Sequence, residues 1–271
     1  MESALKDEIF ILNDLNHPNV MNLKEVVLTI NNYFLVTEYL EGGELFDRIV
    51  EKNTYTESEA RDVCKVLFEG LKYCHSKGVA HRDLKPENLL LQYKESDSEI
   101  KIADFGFAKI ASSEHSLTTT CGTPGYVAPE ILRLEKYGTK SDMWSIGVII
   151  FIMMGGYPPF YAETQKEIFR MTKRGDFSFN EREWGHISSE AKDMISSLLV
   201  TDPDKRASAE EILQHDWMME DSEKLGRKTL DKSQQGLKSY LARRRFKKAI
   251  HSVGVCISFY SMALMFSVFF F

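Results

Sequence analysis

Apolar positions follow several distinct patterns along the chain. Leu5, Ile9, Leu12 and Leu15 recur at helical spacing, which predicts a helix over 3–16 that His17-Pro18-Asn19 breaks. Leu23–Leu28 and Tyr33–Glu38 read as two strands joined by an Asn31-Asn32 turn. Ala60, Val63, Leu67, Leu71 and Cys74 form the stripe of a second helix, opened by a capping box at Thr56-Glu57-Ser58-Glu59. Thr139–Met154 differs from both helices. After Asp142 it is nearly all apolar, so it belongs inside a core, and it is too short to span a bilayer. Leu89-Leu90-Leu91 and Ile100-Lys101-Ile102-Ala103 are short strand-like runs, the first of them buried.

The polar stretches between these elements carry the chemistry. His81-Arg82-Asp83-Leu84-Lys85-Pro86-Glu87-Asn88 crowds ionisable and metal-binding side chains into one loop, anchored by the Leu89-Leu90-Leu91 strand. Asp104-Phe105-Gly106 follows the second short strand, and Ala128-Pro129-Glu130 closes the segment that Asp104 begins. Taken alone, the first loop is a charged surface loop. In this order and at these distances, the three motifs resemble the H-R-D-x-x-x-x-N, D-F-G and A-P-E set of the Ser/Thr protein kinases. The resemblance runs from about Glu8 to Trp217.

It implies an α+β, bilobal kinase fold with a complete helical large lobe. Asp83 is implied as the acceptor of the substrate hydroxyl proton and Lys85 as support for the moving phosphoryl group. ATP and Mg²⁺ are the implied cofactors, with Asn88 and Asp104 as metal ligands. Thr37 takes the gatekeeper place, and the backbone of Glu38 and Leu40 is expected to hydrogen-bond adenine. Glu44 is expected at the ribose or a substrate arginine, and Glu87 and Leu90 count among the nucleotide-binding positions. Read without the family, Glu44 is an acid at a helix N-terminus, favourable to the macrodipole. Asp142 is implied to bond the catalytic-loop backbone and Arg206 to pair with Glu130, while His81 reads as a prop for the loop. Ser208 to Glu211 offers another capping box.

The resemblance has one large departure. Glu8 falls where the C-helix acid sits, yet the sequence begins inside that helix, so the β-rich small lobe is expected to be truncated. The Gly-rich loop and the lysine strand have no counterpart. Either the sequence is a shortened one, with those strands encoded upstream, or the protein descends from a kinase without ordinary ATP handling; as written it is expected to show little or no phosphotransfer, and an extended chain to be active. The rival to an active enzyme is therefore a non-catalytic module that binds calmodulin or a membrane.

Gly42–Ile49, Asp104–Lys109 and the run from Cys121 through Glu130 carry a finer resemblance to the calcium/calmodulin-dependent protein kinases. Ala111–Gly125 is rich in Ser, Thr and Gly and reads as a loop that orders only when held. Within it Thr119 matches the family's activating phosphosite, and Arg82 is the expected partner of its phosphate. Phe246, Ile250 and Val255 stand at 1-5-10 spacing among Arg243, Arg244, Arg245, Lys247 and Lys248. Such a basic amphipathic pattern suits calcium-loaded calmodulin, or an anionic lipid surface, and the resemblance implies an autoinhibitory helix that occupies the substrate groove when calcium is low. The acids Glu44 and Glu87 imply protein substrates with basic residues upstream of the acceptor. The expected division is a small-lobe remnant at 1–40, the large lobe at 41–217, a linker at 218–236, the basic helix at 237–255 and a hydrophobic tail at 256–271. Residues 254–271 carry no charge and would span about 27 Å, slightly short of a ~30 Å bilayer core. Both a tail anchor and translated non-coding sequence remain open for them.

Composition narrows the picture further. With 271 residues and 43% hydrophobic content the chain can bury a large core, in one large or two smaller domains. A net charge of −6 gives no support for a general nucleic-acid binder. The four cysteines show no metal-ligand spacing and read as reduced, and nothing at the start reads as a signal peptide, so a cytoplasmic protein is expected.

Overall fold

The computed structural model describes residues 2–30, 32–246 and 249. The first helix, α1 (Glu2–Asp14), turns its Ile11 and Leu12 into the core and ends before the predicted His-Pro-Asn break. Strands β1 (Leu23–Leu28) and β2 (Tyr33–Thr37) form an antiparallel two-stranded sheet with a bulge between Leu23 and Glu25. This small layer is thinly covered, for Leu28, Tyr33 and Phe34 are all exposed.

Helices dominate the regular structure of the larger lobe. Strand β3 (Gly43–Glu44) leads into α2 (Leu45–Glu51), and α3 (Glu57–Ser76) follows. The capping box of α3 is present as read: Thr56 Oγ1 accepts from the Glu59 N–H and the Glu59 carboxylate accepts from the Thr56 N–H at 2.8 Å. Then come β4 (Val79–Ala80), β5 (Leu89–Leu91), β6 (Ile100–Ile102) and β7 (Lys109–Ile110). β5 lies between β3 and β6, and β4 pairs with β7, all antiparallel. These short pairings fix the loops that the motifs occupy.

Helices α4 (Pro129–Leu132) and α5 (Lys140–Gly155) come next. Every residue from Ser141 to Gly155 in α5 is buried, as its lack of a polar side requires. The periphery consists of α6 (Gln165–Arg174), α7 (Glu181–Trp184), α8 (Ser189–Leu198), α9 (Ala209–Leu213), α10 (Asp216–Met219) and α11 (Ser222–Gly226). A capping box at Ser208 and Glu211 opens α9, also as read. Arg206 and Glu130, 1% exposed each, meet in two parallel hydrogen bonds of 2.7 and 2.8 Å, a bidentate geometry that compensates both buried charges.

The stretch 218–236, read as a linker, is packed instead. Its polar residues dilute the apolar signal, but Leu225 and Leu230 are fully buried. Thr229 bridges Thr56, and the Leu230 N–H donates to the Tyr55 carbonyl at 2.7 Å. Residues 231–246 then form a helix, α12, that lies on the large lobe through buried Leu237 and Leu241. Ile250, Val255 and the apolar tail lie outside the described residues. Among the described residues no helix is long and apolar enough to cross a membrane.

Candidate active site

The loop between β4 and β5 is hung on one carboxylate. Asp142, at the start of α5, accepts the backbone N–H groups of His81 at 2.8 Å and Arg82 at 2.9 Å, and its Oδ2 lies 3.0 Å from His75 Nε2. Burial alone would raise the Asp142 carboxyl. The hydrogen bonds from His75 and the Arg82 backbone outweigh it and hold the group below its ordinary value. Arg82 itself has a positive φ of 68°, a conformation a non-glycine residue keeps only where its surroundings enforce it.

His81 is buried, and burial pushes its imidazole down, so it stands neutral. Its Nε2 meets the Ala103 carbonyl at 3.0 Å, its Nδ1 takes the Asp83 N–H at 3.3 Å, and its ring packs edge-on against Phe105 at 4.8 Å. It is a prop between the two loops, as the sequence suggested.

Asp83, 4% exposed, is clasped from two sides: Thr123 Oγ1 donates to Oδ1 at 2.7 Å and Lys85 Nζ reaches Oδ2. Asn88 Nδ2 donates to the Asp83 carbonyl at 2.9 Å, which leaves the amide oxygen as the free donor of electron pairs. The Asn88 carbonyl in turn accepts from the Ala103 N–H at 2.9 Å, bringing Asn88 beside Asp104. Asp104 is exposed and carries a second positive φ, 64°. Asn88 and Asp104 are neighbours through this bond and both carry hard oxygen donors, a type of set that fits a divalent cation holding water and phosphate oxygens. Glu8 approaches from α1; burial, then the charge of Asp104, pushes its carboxyl up.

The connection after β2 supplies the other wall. Glu38 and Leu40 are half-buried, and among the described residues the Leu40 N–H has no intramolecular acceptor. Leu90, also half-buried, pairs with Glu44 on one side and Lys101 on the other, in the middle of the β3-β5-β6 sheet. Glu44 stands before α2, where burial and then the charges of Asp47 and Glu87 push its carboxyl up.

Two acids of this face are already engaged. Arg244 of α12 pairs with Glu87 and lies 5.7 Å over the Tyr126 ring, while Arg245 pairs with Asp47. Tyr240 and Tyr126 join their hydroxyls at 2.6 Å. Phe246, at the end of the described helix, is 68% exposed. The resemblance implied that this helix would lie in the substrate groove; the tyrosine pair was not read from the sequence, since neither residue shows its partner by spacing.

The 111–125 loop is held in place. Glu114 accepts from Thr139 Oγ1 and the Lys140 N–H, and Leu117 bridges Tyr137. Thr119 is exposed, and its carbonyl accepts from Tyr137 Oη at 2.6 Å; that hydroxyl takes an Arg82 N–H at 3.1 Å.

A sequence model of the protein kinase domain matches residues 1–218. The chain belongs to the protein kinase family. Its relatives are Ser/Thr kinases of the calcium/calmodulin-dependent and myosin light chain types. It is 48% identical to myosin light chain kinase A of Dictyostelium discoideum over 80% of this chain and 74% of that one. It is 43% identical to calcium/calmodulin-dependent protein kinase type 1 of Macrobrachium nipponense, over 94% of this chain and 73% of the relative. The type IV enzyme of Mus musculus is 43% identical over 93% of this chain and 54% of its own length. The kinase is thus a protein Ser/Thr kinase by family, using ATP and a divalent metal and acting on protein substrates.

Proposed function

We propose that this kinase transfers the ATP γ-phosphoryl group to Ser or Thr in segments with basic residues upstream, and that α12 inhibits it until calcium-loaded calmodulin removes it. The observation that carries this reading is Arg244 on Glu87, an arginine of the chain itself laid on the acidic face beside Asp83.

Asp83 is the base in this reading. Its carboxylate orients the substrate hydroxyl and takes its proton as the oxygen–phosphorus bond forms, while the bond to the β,γ-bridging oxygen breaks and ADP keeps the electron pair. Lys85, already beside Asp83 Oδ2, follows the charge of the moving group. Asn88 and Asp104 would hold Mg²⁺, which supplies charge neutralisation for the phosphates. Glu38 and Leu40 offer backbone groups to adenine, Leu90 lies beneath it, and Glu44 and Glu87 meet ribose or a substrate arginine. Phe246, exposed and followed by Lys247 and Lys248, is the apolar anchor for calmodulin.

The test is peptide phosphorylation by the chain extended with the Gly-rich loop and lysine strand expected upstream, with peptides carrying Arg or Ala upstream of one serine. The Arg peptide is expected to be the better substrate, Glu87→Gln to reduce the preference, and calcium–calmodulin to raise the rate unless Phe246 is replaced by Asp. A rate indifferent to calmodulin, with binding only to anionic vesicles, would assign the basic helix to a membrane instead. Calmodulin binding without phosphotransfer in any condition would leave a binding module.

A further inference from the structure

The chemistry above makes no use of one buried cation. Lys101 is the middle residue of β6 and is 6% exposed, a rare state for a lysine unless it is paired. Its neighbours Ile100 and Ile102 face the core, so strand alternation turns Lys101 to the opposite side, toward the connection after β2. There its Nζ lies 2.9 Å from Glu38 Oε1 and 3.5 Å from the Val20 carbonyl oxygen.

Three segments meet at this ion pair. Glu38 Oε1 also accepts the Asn22 N–H at 2.7 Å, and the Glu38 N–H donates to the Asn22 carbonyl at 3.0 Å. The turn after α1 is in turn stitched to β6: Val20 pairs parallel with Ile102, the Met21 N–H donates to the Ile102 carbonyl at 2.9 Å, and the Ile102 N–H to the Asn19 carbonyl at 2.9 Å. Asn19 Nδ2 adds a bond of 3.1 Å to the Ile100 carbonyl. The backbone bonds tie the turn to β6. The connection at Glu38 reaches β6 directly through Lys101.

We infer that Lys101 is a positioning residue, whose ion pair with Glu38 locks the 38–40 connection to the strand that delivers Asp104. Resting on the nucleotide site proposed above, this sets the distance between the backbone that receives adenine and the carboxylate beside the phosphates. A partly buried pair is weakly screened by salt, and removal of one partner strands the other charge. The contact is therefore held in one arrangement rather than exchanged with water.

Amide hydrogen exchange on the full chain without nucleotide tests this, with Lys101→Met, the milder Glu38→Gln, and the two combined. Each single substitution is expected to speed exchange about fivefold or more at 37–42 and at 103–105 together, while 143–153 inside α5 keeps its wild-type rate. The combined variant is expected to do little more harm than either single, because both act on one interaction. ADP titration of the same proteins should show weaker binding in both single variants, by a similar factor. Faster exchange that includes α5 equally, or that leaves 37–42 unchanged, would overturn the inference. A wild-type chain that binds no ADP would count against the nucleotide site alone, since the exchange pattern decides the lock without it.

Discussion

Asp142 shows how one side chain can set the shape of a catalytic loop. Two backbone N–H groups converge on its carboxylate, and an amide has only one acceptor oxygen to offer them. Asp142→Asn is expected to leave one buried donor unpaired, at about 1–3 kcal/mol, and to lower both the unfolding midpoint and phosphotransfer. The sign of the pH dependence follows from the depressed carboxyl. Its contribution is present above the ordinary value of 3.8 and is lost as the pH falls through the lower folded value. Thermal unfolding followed from neutral pH into that acid range should therefore bring wild type and variant together. Thr119 belongs to the same scale. Arg82 stands two hydrogen bonds from its carbonyl, so a phosphate of about −1.5 to −2 charge there has a guanidinium within the same network. Phosphopeptide mapping of activated protein should find Thr119, and Thr119→Ala should blunt activation; activation that survives with phosphate only elsewhere would refute the assignment.

Among the elements, α12 is the one whose seat can be tested by a single methyl-sized change. Gly236 lies against Gly156, which caps α5 with a φ of 77°. A Cβ on Gly236 would stand 2.9 Å from the Gly156 carbonyl oxygen and 3.0 Å from its Cα, and backbone cannot swing aside as a side chain can. Gly236→Ala is expected to unseat α12, raising basal phosphorylation without calmodulin and opening the 227–236 stretch to limited proteolysis. Protection equal to wild type would show that α12 is held elsewhere. The legibility of the elements follows the same division. The capping boxes at Thr56 and Ser208, the all-apolar α5, the strand after Asp83 and the strand before Asp104 are local or periodic signals, legible without the fold; β4 and β7, two residues each, are too short to show a period. The packing of 218–236 rests on Leu225 and Leu230, two leucines whose burial depends on surfaces contributed by α3 and its preceding loop. Lys101 was visible only as a charge between two isoleucines; its partner lies across the fold, where no sequence spacing leads.

At the scale of the molecule, the loop of Asp83 is hung on the buried α5, and the parts set around it are the β1–β2 layer, the 111–125 loop and α12. The loop motifs were legible because their residues are consecutive. The covered groove was legible through the family resemblance alone; the pairing of Arg244 with Glu87 was not, because the two lie far apart along the chain. The central claim is phosphotransfer by Asp83 on a face that α12 covers. It is tested most directly by measuring phosphate incorporation into a serine peptide with upstream arginines, using the chain extended by the Gly-rich loop and lysine strand expected upstream and its Asp83→Asn variant, each with and without calcium–calmodulin. The expected result is transfer by the wild type that rises with calcium–calmodulin and falls about 10²-fold or more in Asp83→Asn. Transfer that is equal in the two proteins, or absent from the wild type even with α12 displaced, would contradict it.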